Sequence, residues 1–104
     1  MIQHARFRIG QIIHHKLFDY RGVIFEVDPE FSLTEEWYDQ VARSRPPRDK
    51  PWYHVLVDGA MHSTYVAEQN LSDSSDLSEI SNPAVADYFT SFDNGYYLPR
   101  QRAM

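Results

Sequence analysis

Residues 51–71, PWYHVLVDGAMHSTYVAEQNL, constrain the fold more than any other stretch of the chain. Trp52–Val57 is dominated by aromatic and β-branched residues, the types that fit a pleated, half-buried surface. Asp58-Gly59 follows, a strong hairpin signal, because a type I′ turn needs φ > 0 at both central positions. His62–Val66 then returns as a second strand. Pro51 lacks an amide donor and suits the first residue of a strand or an edge.

Two further strands are predicted upstream. Phe7–Phe18 places Gln11, Ile13 and His15 on one face and Ile12, His14 and Lys16 on the other. Asp19-Tyr20-Arg21-Gly22 bends the chain, although Gly22 could instead be a bulge inside a strand. Gly22–Val27 is almost wholly apolar and reads as a strand buried on both faces, ended by Asp28-Pro29. Alternation puts Ile9, Ile13, Val23, Phe25, Val27, Val55, Val57 and Val66 in the core.

Residues 30–50 are too long for a simple turn. Ser32-Leu33-Thr34-Glu35 fits a capping box, in which Ser32 accepts an amide and Glu35 reaches back. A helix over about Leu33–Arg43 follows, with Leu33, Trp37 and Val41 on one stripe and an Asp39–Arg43 pair. Pro46-Pro47 stops it. Beyond the hairpin, Ala67–Leu71 reads as a closing turn, and the Ser/Asp-rich residues 72–81 as a linker. Asn82-Pro83 is a helix start. Val85, Tyr88, Phe89 and Phe92 then form one apolar face of a helix ended by Asn94-Gly95, with a tail after it. The division is residues 1–71, a barrel; 72–81, a linker; and 82–104, an amphipathic helix and tail. Short strands, tight turns and no βαβ spacing predict a mainly β fold. It is a small antiparallel β-barrel with a short helix in its long loop and a short C-terminal helix.

The chain has 104 residues, one domain by length, and no cysteine, which excludes disulfides and thiolate metal sites. No apolar run reaches transmembrane length, and the N-terminus lacks a signal-peptide layout, so a cytoplasmic location is expected. The net charge is −5 and is unevenly placed. Residues 1–50 hold eight Lys/Arg and eight Asp/Glu, whereas residues 51–104 hold two and seven. Such a chain is a poor bulk match for a polyanion.

The pieces Phe7-x-Ile9-Gly10-Gln11, His15, Tyr20-x-Gly22-Val23, Asp28-Pro29-x-Phe31-Ser32-Leu33, Pro51-Trp52-Tyr53-His54-Val55 and Thr64-Tyr65-x-Ala67-Glu68-x-x-Leu71 occur in order. In them the chain resembles the bacterial heat-shock protein HspQ family, also called YccV-like or hemimethylated DNA-binding. The most specific are PWYHV and TYxAExxL. The resemblance fades beyond Leu71. It implies an SH3-like barrel and a stress-response role, assisting degradation of denatured proteins, the replication initiator among them. It also implies modulation of an ATP-dependent protease of the Lon type, as a protease adaptor would act, and affinity for hemimethylated DNA.

The residues themselves point away from catalysis. No HExxH, no GxSxG and no glycine-rich phosphate loop is present, so no catalytic residue, metal site or cofactor is expected. His14 and His15 point to opposite faces of a strand, and so do His54 and His62 across an even-length loop. His15 and His54 read as hydrogen-bonded framework residues. Two binding surfaces remain. Arg43, Arg45, Arg48 and Lys50 form the only basic cluster and are the candidate DNA contacts, with a local charge of about +3 that would give weak, salt-sensitive binding. Trp37, Tyr38, Trp52, Tyr53, His54 and Tyr65 are the candidate protein contacts, because Tyr and Trp offer an apolar body with a polar tip. The C-terminal apolar stripe could dock on its own barrel, on a sister subunit in a homo-oligomer, or on a partner. Charge ranks protein binding first and DNA second.

Overall fold

The computed structural model describes residues 4–42 and 44–100. Strands β1 (Ile12–His15), β2 (Arg21–Asp28), β3 (Trp52–Val57), β4 (Ser63–Ala67) and β5 (Leu71–Asp73) form one antiparallel sheet in the order β4-β3-β2-β1-β5. A 3₁₀ turn, Glu68–Asn70, carries the chain from β4 to β5. Strands β6 (Phe89–Asp93) and β7 (Tyr96–Pro99) form a separate hairpin. The two helices are short: α1 (Glu35–Val41) and α2 (Val85–Tyr88). The fold is mainly β and antiparallel, as expected. The ladder does not run on from β4 to β5, so the sheet is not closed into a barrel.

The three central strands are buried on both faces except in the second half of β2, where Phe25 and Val27 are only partly buried and Glu26 is exposed, and their alternation sorts neighbours into two cores. Ile13, Ile24, Val55 and Val66 join Phe7, Tyr53 and Leu71 on one side. Ile12, Val23 and Leu56 join Ile80, Phe89 and Tyr97 on the other. Phe25 is the unpaired residue of a bulge between Ile24 and Glu26, so the break in register falls there and not at Gly22. Ile9 lies outside the core at 41% exposure, because the chain is still turning before β1.

The second core exists because the C-terminal segment is not the helix expected over residues 82–92. One helical turn, Val85–Tyr88, gives way to the β6–β7 hairpin. Asn94 and Gly95 sit at φ 50° and 82°, the backbone of a type I′ turn, so this Asn-Gly pair reverses a hairpin and does not stop a helix. The residues read as a tail after it include β7. The hairpin is anchored at Gly10, whose φ is 92° and whose carbonyl accepts the Tyr97 amide at 2.9 Å. A Cβ at Gly10 would lie 2.1 Å from the Tyr97 carbonyl oxygen. The Ser/Asp-rich segment is also held. The Arg21 guanidinium donates to the carbonyls of Asp76 and Ser78 at 2.9 Å each and to Asp58 Oδ2 at 3.1 Å. The buried Asn82 amide donates to the carbonyls of Val57 and His62 and accepts from the Ala84 amide.

The β3–β4 turn is wider than a two-residue I′ turn: only Gly59 has φ > 0, and the Val57 amide donates to the His62 carbonyl across four intervening residues. Helix α1 is shorter than expected and differently capped. Thr34 is the N-cap and accepts from the Trp37 amide at 3.2 Å, while the Ser32 hydroxyl donates to the Glu30 carbonyl. Its buried residue is Tyr38, which with the C-cap Ala42 packs against Trp52 and Ala67. Leu33 and Val41 of the expected stripe are exposed.

Candidate functional site

The aromatic candidates separate by burial. Trp52, Tyr53 and Tyr38 are buried and pack in the framework, with Trp52 also lining the groove described below. Their polar tips are satisfied internally. Trp52 Nε1 donates to the Pro47 carbonyl at 3.0 Å, and the Tyr38 hydroxyl donates to the Pro46 carbonyl at 2.7 Å. The Tyr53 hydroxyl donates to Glu68 at 2.6 Å. Trp37, His54 and Tyr65 remain partly accessible. Tyr65 donates to Asp28 Oδ2 at 2.7 Å, and His54 Nε2 lies 3.0 Å from the same oxygen. With Asp28 ionised, Nε2 is the donor. Burial, reinforced by the bond to Asp28, pushes the Tyr65 phenol well above its ordinary pKa and keeps it a donor.

These three residues open onto a groove of about 760 Å³. One wall is α1 and its approach, with Leu33, Trp37 and Val41; the other is the β1–β2 turn, with Leu17 and Phe18. The floor is β4, every residue of which lines the groove. Leu17 is 60%, Phe18 75% and Val41 56% exposed, so both walls present apolar side chains to solvent. His15 shapes the turn wall. Its Nδ1 accepts from the amides of Leu17 and Phe18 at 3.1 Å each, which places the ring proton on Nε2. Burial, with the neighbouring His14 adding to it, lowers the His15 pKa and keeps the ring neutral. His15 and His54 are thus hydrogen-bonded framework residues, as expected.

The sequence reading missed Leu17 and Phe18 as surface groups. A signal was present: two large apolar residues stand directly before Asp19, where a turn ordinarily carries polar residues.

Two of the four residues of the basic cluster are internally paired. Arg45 Nη1 lies 2.8 Å from Asp39, and Arg48 forms a two-pronged bond with Glu35, with Nη2 to Oε2 at 2.6 Å. The hydrogen bond from Arg48 holds the Glu35 carboxyl below the usual carboxylate range. The Arg48 guanidinium also lies over the Tyr38 ring at 3.9 Å. Lys50 is exposed and, among the described residues, carries no ion pair. Arg43 lies outside the described residues, and with it the expected Asp39–Arg43 pair.

Among the described residues no group of three His, Asp or Glu side chains converges as metal ligands, and no helix is long and apolar enough to cross a membrane. Comparison with protein families matches residues 5–96 to the family described as hemimethylated DNA-binding protein YccV like. The match continues past Leu71, where the resemblance read from motifs fades. It takes in the β6 strand and the turn that follows.

Proposed function

The chain belongs to the YccV-like hemimethylated DNA-binding protein family, and from that premise we propose a non-enzymatic binding protein of the HspQ type. It engages denatured proteins, the replication initiator among them, and modulates their degradation by an ATP-dependent protease of the Lon type in the cytoplasm. We read the five-stranded sheet as an open SH3-like barrel, a reading supported by the strand order and by the 3₁₀ turn that links β4 to β5.

The observation that carries the protein-binding role is the groove. Facing walls built from Leu17 and Phe18 and from Leu33 and Val41 keep apolar surface in water, where it is less favourable than under a partner. The test is the rate at which a Lon-type protease degrades a denatured client, with and without this protein. Replacing Leu17 and Phe18 together with Ser should abolish most of the effect while leaving the melting temperature nearly unchanged, because both side chains are already exposed. An unaltered effect on the protease would refute the reading.

DNA binding is the second reading, favoured by the family's own description. It ranks second because Arg45 and Arg48 are engaged with Asp39 and Glu35 and the whole chain carries −5. Freeing either arginine for a phosphate means giving up an existing pair.

A further inference from the structure

The groove has a property that its apolar walls alone do not explain: it runs along the free edge of a sheet. Side chains of successive strand residues point to opposite faces, so one face of β4 can offer only alternate residues. All five, Ser63 to Ala67, line the groove. That arrangement requires the groove to lie beside the strand.

The pairing of β3 with β4 fixes which backbone groups face it. The Val57 amide donates to the His62 carbonyl, and the Glu68 amide to the Pro51 carbonyl. With the register Val55↔Thr64 and Tyr53↔Val66 between them, Thr64 and Val66 spend their backbone groups on β3. Ser63, Tyr65 and Ala67 therefore direct theirs outward. Among the described residues the outward amides of Ser63, Tyr65 and Ala67 have no backbone partner, and of the outward carbonyls only that of Ala67 is engaged, as the N-cap of the 3₁₀ turn that follows.

The two walls stand over opposite faces of this edge. Tyr65 and Ala67 lie on the α1 side, where the Tyr65 ring packs 5.5 Å from Trp37 and Ala67 shares a core with Tyr38 and Ala42. Thr64 lies on the other side, where its hydroxyl meets the Tyr20 hydroxyl at 2.7 Å. We propose that the outer edge of β4 takes up an extended segment of an unfolded polypeptide as an added strand. Its alternate side chains would be received by Leu33, Trp37 and Val41 on one side and by Leu17 and Phe18 on the other.

The walls decide the chemistry of the occupant. A strand with apolar surface on both faces must itself be apolar at successive positions, not at alternate ones. Such runs are buried in folded proteins and become available when a protein unfolds. Among the described residues no Lys, Arg, Asp or Glu lines the groove, and the chain as a whole carries −5, so basic residues flanking the run are favoured over acidic ones. This proposal rests on the protein-binding reading and gives it a site and a mode.

The experiment is amide hydrogen exchange on the full chain, with and without the blocked peptide acetyl-KKVIFVKK-amide. In the dilute free protein the amides of Ser63, Tyr65 and Ala67 should exchange much faster than those of Thr64 and Val66. Saturating peptide should slow all three by at least about tenfold. The same peptide N-methylated at its four apolar residues keeps the side chains but loses the donors, and it should give no protection. Ser63→Pro, which removes an outward donor without touching the β3 ladder, should weaken binding by about tenfold. Protection of the three amides in the free protein at every concentration would overturn the proposal, since the edge would already be covered from within. Protection that grows with protein concentration alone would overturn it in favour of a second copy. Peptide binding that protects other amides would overturn the edge while leaving the protein-binding reading standing.

Discussion

The phenol of Tyr53 and the carboxylate of Glu68 meet at 2.6 Å, joining the two most specific sequence motifs of the chain across the end of the β3–β4 pair. The same oxygens gather the N-terminal segment. The Phe7 amide donates to the Tyr53 hydroxyl at 3.2 Å, and the Arg6 amide to Glu68 Oε2 at 2.9 Å. Burial first, and then the bond to Glu68, raises the Tyr53 phenol pKa well above its ordinary value, so the hydroxyl stays a donor.

Tyr53→Phe should therefore cost more than one hydrogen bond. It leaves the Phe7 amide without its acceptor and releases the segment that places Phe7 in the core. Denaturant titration should show a loss of about 1–3 kcal/mol with an unchanged slope.

Asn82 should be as sensitive as a core apolar residue. Its buried amide uses both its donor and its acceptor capacity to tie the β3–β4 turn to the start of α2. Asn82→Ala leaves the carbonyls of Val57 and His62 short of a donor, and thermal melts should report a loss of about 1–3 kcal/mol.

Ending the chain after Ser81 should do far more damage. It removes Phe89 and Tyr97 and uncovers Ile12, Val23 and Leu56. Each large apolar side chain removed from water contributes about 1.5–3 kcal/mol, against a total stability of about 5–15 kcal/mol for a domain. The truncated chain should bind a hydrophobic dye and lose its dispersed amide spectrum. A cooperative melt close to that of the full chain would show that the second face does not need the hairpin.

Acid should weaken the fold through His15. Its folded pKa lies below the ordinary value of 6.5, so between the two the unfolded chain binds more protons. The contribution is complete above 6.5 and is lost as the pH falls from there through the folded pKa. Protonation also converts Nδ1 from acceptor to donor and breaks the bonds from the Leu17 and Phe18 amides. The melting temperature of the native chain, measured against that of His15→Gln from pH 8 to pH 5, should converge on the variant's at the acid end.

Duplex DNA binding should be weak and should vanish by moderate salt. With Arg45 and Arg48 paired, the log–log salt slope should be no steeper than about −3. Replacing Arg43, Arg45, Arg48 and Lys50 with Ser should remove what remains in a gel shift. Tight binding by that variant at physiological salt would place the DNA surface elsewhere.

The β3–β4 pairing, the buried β2 and the framework roles of His15 and His54 were legible from the residues. Strand patterning, turn chemistry and proline stops act over a few neighbours, so Trp52–Val57 carries its own instruction. Where a local signal had two meanings, only the tertiary structure chose. Val85, Phe89 and Phe92 fit a helical stripe, and Asn94-Gly95 fits either a helix stop or a I′ turn. The open face of Ile12, Val23 and Leu56 is covered by a hairpin, and no count along the sequence reveals that face. The same holds for charge. Arg45 and Arg48 read as free cations until the fold sets Asp39 and Glu35 against them. The groove is the furthest from the sequence. It is assembled from the β1–β2 turn, α1 and β4, segments separated by long stretches of chain. Its edge is free because the ladder ends at β4, a property of the whole sheet and not of any residue in it.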